Sequence, residues 1–192
     1  MKSSLALILL TLTFFCSDSA AQTRASINFD LRPDAGRPVD DGATRTRFAQ
    51  STTRPNNPSA AAIEQQVFAL INAERAKNGL TELEWSESVA AVARLHSEDM
   101  ARAKFFSHRG SDGSMVDARA DRLGLGMWRS IGENIAYMRG YDDPAELAVQ
   151  KWMESTAHRK NLLGANWKES AVGVAMTADG TYYLTEVFLF RK

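Results

Sequence analysis

The only cysteine of the chain, Cys16, lies inside an apolar N-terminal run, MKSSLALILLTLTFFCSDSAAQT. Lys2, the stretch from Leu5 to Phe15 and the small residues Ser19, Ala20 and Ala21 are laid out as a secretory leader, residues 1–21, cut before Gln22. Many small exported domains lean on disulfides when their cores are too small to hold them. That support is lost here with the leader, so the remainder must be held by a hydrophobic core and by hydrogen bonds. A second route, lipid attachment at Cys16 in a bacterial lipoprotein, is disfavoured by bulky Phe15 at a position where such processing takes a small residue.

A chain of 192 residues is long enough for one domain with such a core. Its formal charge is zero, with acidic and basic residues interspersed, so no long-range field draws it to a phosphate backbone and nucleic-acid binding is set aside. The leader's apolar run is too short to span a bilayer, and no later segment is long and apolar enough, so no transmembrane segment is expected. The mature chain is expected to be secreted or periplasmic. Residues 22–58 are poor in large apolar side chains and rich in Arg, Asp, Thr, Pro and Asn, which predicts a flexible linker. Residues 59–192 are expected to form the single domain.

Within that domain the apolar period is helical at first. Ile63, Val67, Leu70 and Ile71 share a face of a helix capped by Ser59 and stopped at Gly79. Val89, Val92, Ala93, His96 and Met100 share a face of a second helix, from Ser86 to about Lys104. Ser114 is placed to cap a short third helix, and Asp143-Pro144 with Glu146 opens a fourth that carries Leu147, Val149, Trp152 and Met153. "HRKNLL" continues it or forms a short helix of its own. The segment from Ile131 to Met138 reads as a strand, and "AVGVAMT" and "YYLTEVFLF" flank the turn Ala178 to Thr181 as a hairpin. Helices followed by strands interleaved with a helix give the α+β class, an antiparallel sheet sandwiched by helices.

Two residues interrupt the apolar strand: Glu133 and Asn134, in "RSIGENIAYM". An ionised Glu in such a setting requires a partner, because unpaired burial is strongly unfavourable. The candidates are few, since the chain has three histidines. His96 lies on the apolar face of the second helix and reads as a packed, hydrogen-bonded core residue rather than a ligand or catalyst. His108 sits in a loop and His158 follows the fourth helix, positions that aim side chains at clefts.

The segments "LINAERAKNGL", "AVARLHSEDMARAKFFSH", "GENIA", "WMESTAHRKNLL" and "VGVAMTADGTYYLTEVF", in that order from about Ile63 to Phe190, resemble the bacterial SCP-like branch of the CAP superfamily. That superfamily comprises cysteine-rich secretory proteins, antigen 5 and pathogenesis-related class 1 proteins. The resemblance implies a three-layer α/β/α sandwich with a central antiparallel sheet, and a cleft shared by His108, Glu133 and His158. It also implies that the two histidines, with Glu133, can hold zinc or another divalent cation. In many eukaryotic members of that family a second glutamate lies three residues after the tryptophan. Ser155 stands there in this chain, with Glu154 one residue before it.

Two neutral imidazoles with a carboxylate and an open position suit zinc, manganese or iron. A metal-free cleft, with Glu133 accepting hydrogen bonds from His108, His158 or backbone amides, is equally sound chemistry and is favoured here. Glu154 reads as an exposed residue near Lys151, Asn134 and Asn161 as satisfying backbone, and Arg159 as a brace. The resemblance implies a non-catalytic extracellular binding module for a lipid, sterol or protein partner. The alternative is a protease-like hydrolase in which His108 or His158 acts as base on water, Ser107 or Ser155, or in which a metal activates water. No G-x-S-x-G, H-E-x-x-H or P-loop pattern supports that alternative.

Overall fold

The computed structural model describes residues 58–191; the leader, Cys16 and nearly all of the expected linker lie outside the described residues. Nine elements follow one another: α1 (Ala60–Lys77), β1 (Glu84–Trp85), α2 (Glu87–Ala103), α3 (Val116–Arg122), β2 (Trp128–Arg139), α4 (Pro144–Glu154), α5 (Thr156–Leu162), β3 (Glu169–Met176) and β4 (Thr181–Arg191). Ser59 caps α1 by accepting from the amide of Ala62, and Asp143 caps α4 by accepting from the amide of Glu146, with Pro144 in the first turn. Ser114 does not cap α3. Its hydroxyl turns back to Asp112 Oδ1 at 2.6 Å, and Met115 takes the cap position.

The sheet has the order β1-β3-β4-β2. β2, β4 and β3 pair antiparallel as expected, whereas β1 pairs parallel with β3 through Glu84 to Glu169 and Trp85 to Ser170, so the sheet is mixed. A two-residue strand is too short to show a period, which is why the stretch Leu80 to Trp85 reads only as a link. Asn72 of α1 holds that link by donating to Leu83 O and accepting from Leu83 N.

Strand alternation divides the core. Ala136, Met138, Val172, Val174, Tyr182, Leu184 and Phe188 meet Ile63, Val67 and Ile71 of α1, Trp152 of α4 and Leu162 of α5. On the other face Ala171, Val187 and Leu189 meet Val89, Val92 and Ala93 of α2 and Ala120 of α3. Each Val, Leu, Ile, Met or Phe side chain among them that is fully withdrawn from water contributes roughly 1.5–3 kcal/mol. The second helix comes so close to β3 that a Cβ on Gly173 would overlap the backbone of Ala93 and Arg94.

Both sheet edges are closed by side chains. Beyond β1, Glu64 of α1 accepts from Val174 N at 3.1 Å and receives the Arg94 guanidinium from α2, tying the two helix layers around the edge of β3. At the outer edge of β2, Trp152 Nε1 donates to Ile135 O at 3.0 Å and Asn161 Nδ2 to Glu133 O at 3.2 Å. No helix among the described residues is long and apolar enough to cross a membrane.

Candidate functional site

Glu133 projects from β2 toward the α2 face and is only 6 % exposed. Its partners come from two other segments. His108 Nδ1 lies 2.7 Å from Glu133 Oε1, and Arg119 Nη2 of α3 donates to Oε2 at 2.5 Å. Burial alone would push the Glu133 carboxyl up, but the hydrogen bond from His108 and the charge of Arg119 outweigh it and hold the carboxyl below its ordinary value. The carboxylate is therefore ionised and engaged at both oxygens.

Arg119 is the partner that sequence reasoning missed. Its other terminal nitrogen donates to His108 O at 3.2 Å and Ser114 O at 2.8 Å, so one guanidinium fixes both the acid and the loop that presents the imidazole. A signal existed: Val116, Arg119, Ala120 and Leu123 share a face of α3, which places a cation on an apolar side. A buried Arg and a buried Glu that each lack local partners call for one another.

The loop carrying His108 leaves α2 through Lys104, which adopts the left-handed conformation at φ 54°. His96 steadies it: Nε2 donates to Ser107 O at 2.9 Å, and the ring is fully buried. Burial depresses the pKa of His96 against the opposing pull of Glu133, so the ring is a neutral brace, matching its place on the apolar face of α2. Because His108 Nδ1 faces a carboxylate, it carries the hydrogen of that bond, and in the neutral ring the lone pair falls on Nε2. That Nε2 is buried and has no hydrogen-bond partner among the described residues.

His158 enters from the opposite side. The chain breaks at Ser155 between α4 and α5, whose backbone is extended at ψ 121°, so His158 belongs to a separate short helix. Asn134 Nδ2 donates to His158 O at 3.2 Å and Asn161 Nδ2 to Asn134 Oδ1 at 2.9 Å, a buried latch that seats α5 against β2. Both ring nitrogens of His158 are buried without a partner. The ring makes no hydrogen bond or ion pair to Glu133; its electrostatic neighbour is His108. Burial pushes the His158 pKa down to about 4, with the charge of His108 acting in the same direction.

Other candidates do not join His108, Glu133 and His158. Glu154 is exposed and paired with Lys151 and Gln150, so it does not stand in for the glutamate absent at Ser155. Arg159, expected as a brace, is exposed and makes no side-chain hydrogen bond among the described residues; Arg119 does that work. Among the described residues no group of three or more His, Cys, Asp or Glu side chains is disposed to hold a metal ion. Glu133 departs from the expected ligand set because His108 and Arg119 already occupy its oxygens.

The model of the cysteine-rich secretory protein family, CAP, matches residues 68–189. The chain belongs to the CAP family. It is 41% identical over 129 residues to the uncharacterized membrane protein YlbC of Bacillus subtilis (strain 168), covering 67% of this chain and 34% of that protein. A crystal structure of an extracellular protein containing a SCP domain from Bacillus anthracis str. Ames superposes with a TM-score of 0.59 at 32% identity, over 69% of this chain and 41% of that one. An outer surface protein from Borrelia burgdorferi shares the fold, with a TM-score of 0.60 at 18% identity, over 67% of this chain and 92% of its own. The CAP domain thus spans about a third of YlbC and two fifths of the B. anthracis protein.

His158 stays neutral in the CAP fold yet takes a proton near 6.5 when unfolded, so the stability it contributes is complete above that pH and is lost as pH falls toward about 4. That interval corresponds to a loss on the order of 3 kcal/mol. His158→Gln is expected to flatten this acid limb in a melting-temperature series from pH 7 to pH 4; superimposable limbs would contradict the assignment.

Proposed function

We propose that the protein is an exported, non-catalytic binding module whose cleft at the outer edge of β2 captures a ligand through the imidazoles of His108 and His158. The leader-like residues 1–21 and the linker to residue 58 support export, as do structural relatives described as extracellular and outer surface proteins. One observation carries the binding role: of the four buried imidazole nitrogens without a partner among the described residues, three, His108 Nε2 and both of His158, belong to the two candidate residues, and the fourth is Nδ1 of the bracing His96. Buried polar atoms are almost always satisfied, and a group left open at such cost is one that something else fills.

In the cation form of this reading the ion takes two of those nitrogens. His108 Nε2 and one nitrogen of His158 would hold it, while Glu133 sets the tautomer and direction of His108 in the manner of an outer carboxylate behind a metal-bound histidine. With two protein donors the remaining positions stay open to water or to an acceptor group of a ligand, so the cation would be exchangeable. Calorimetric titration of the mature protein with zinc at pH 7 is expected to show saturable binding of one ion. His108→Ala should abolish it, and Glu133→Gln should weaken it roughly 10–100-fold. Absence of saturable heat, or heat unchanged in His108→Ala, would contradict the cation form of the proposal.

One observation favours a second reading. A carboxylate 2.7 Å from His108 Nδ1 also orients a general base, and Nε2 would then act on water. Against a serine nucleophile, the Ser107 hydroxyl is committed to the turn by accepting from Arg109 N at 3.0 Å, and Ser155 sits at the α4–α5 junction. Hydrolysis of a peptide or ester library that vanishes in His108→Ala would establish this reading over the first.

A further inference from the structure

The opposite face of the sheet holds a second buried acid that the cleft does not use. Glu186 of β4 is fully buried. Its Oε1 accepts from Ser170 Oγ at 3.2 Å, and its Oε2 has no partner among the described residues. The cross-strand neighbours are Val172 of β3 and Asn134 of β2, both uncharged. The charge that reaches Glu186 is that of Arg75 of α1, whose hydrogen bonds go elsewhere. Arg75 Nε donates to Thr81 O at 3.1 Å, and Nη1 donates to Leu162 O at 2.7 Å and Gly164 O at 3.0 Å.

Arg75 therefore closes the C-terminal end of α5, where a cation suits the exposed carbonyls. The other anchor of α5 is the Asn134–Asn161 latch, and Asn134 is the β2 residue opposite Glu186. Glu186, Arg75, Asn134 and Asn161 thus form one polar layer under the helix that carries His158. A carboxylate with one oxygen bare and the other on a single hydroxyl, at zero exposure, is too poorly solvated to remain ionised. The neutral acid carries a hydrogen on one oxygen and needs less.

We propose that Glu186 is held as the neutral acid in the core, and that loss of its proton draws Arg75 off the end of α5 and loosens the seat of His158. Burial supports this by raising the carboxyl well above its ordinary value, against the opposing pulls of Ser170 and Arg75. The folded state then binds a proton that the unfolded chain releases near 4.5. Its stabilisation is complete below that pH and is lost as pH rises through the higher folded value. In alkaline media Arg75 would gain a carboxylate partner at the cost of the carbonyls of Leu162 and Gly164. The consequence for ligand capture rests on the proposed role of His158; the proton and the helix anchor do not.

Glu186→Gln is a near-isosteric change that keeps an acceptor for Ser170 and cannot ionise. Its melting temperature should merge with that of the parent near pH 4 and exceed it by several degrees at pH 8 to 9. Amide-exchange protection over residues 159–163, corrected for intrinsic rates, should fall with pH in the parent and stay level in Glu186→Gln. Should the variant not fold, carboxyl carbon NMR of the parent protein decides, with Glu186 expected to remain protonated at pH 6. Parallel melting curves across the pH range, or an ionised Glu186 at pH 6, would overturn the proposal. None of these readouts involves a ligand, so failure of the cleft's binding role would leave them unaffected.

Discussion

Arg119→Met is expected to cost about 3–5 kcal/mol, because it strips one side of a buried ion pair and leaves Glu133 charged in a nearly dry site. On a domain of this size that corresponds to a fall in melting temperature of roughly 10–20 °C. Arg119→Lys should recover little, since a single ammonium cannot reach Glu133 Oε2, His108 O and Ser114 O together. The double change Arg119→Met with Glu133→Leu should be less destabilising than Arg119→Met alone, because no unpaired charge remains. Chemical denaturation of the three variants checks this. A loss below about 1 kcal/mol in Arg119→Met would mean that the pair is as weak as an exposed one.

The second large effect is expected on the same face of the sheet, where β3 meets α2. Gly173→Ala places a methyl group where the backbone of Ala93 and Arg94 already lies, and backbone cannot rotate away as a side chain does. The α2 layer must lift from β3, which opens contacts among Val89, Val92, Ala93 and Ala171. Strain and lost packing together should cost at least about 3 kcal/mol. The displaced Arg94 would also release Glu64 and uncover the Val174 amide at the edge of β3. Gly173→Ala should therefore express poorly or melt far below the parent, by circular dichroism; a melting temperature within a few degrees of the parent would show that the helix has room to move.

What could be read from residues alone follows the range of the interaction. Local signals held: the Asp143-Pro144-Glu146 start of α4, the Ser59 cap of α1 and the alternation that makes β3 and β4 a hairpin all depend on neighbours within a few positions. The burial of Glu133 was legible as a demand for partners, and the family resemblance supplied His108. Arg119 was not found because its contacts with Glu133 and His108 O join segments that have no shared local pattern. Glu186 was hidden in the same way. In "YYLTEVFLF" it occupies the position that alternation gives to one face, and only the assembled sheet shows that both faces of β4 are covered. The exposure of Arg159 was missed because its direction depends on the break at Ser155, and the sequence left open whether "HRKNLL" continues α4 or forms a helix of its own.

The central claim is that Glu133 and Arg119 hold His108 with Nδ1 protonated, so that its Nε2 and the ring of His158 face a ligand together. Long-range proton–nitrogen NMR of the three histidine rings at pH 7, before and after one equivalent of zinc, tests it most directly. The account predicts His108 as the Nδ1-protonated tautomer, with zinc shifting His108 Nε2 and one nitrogen of His158 while His96 stays unchanged. A His108 ring protonated at Nε2, or a zinc response at His96 in place of His158, would contradict it.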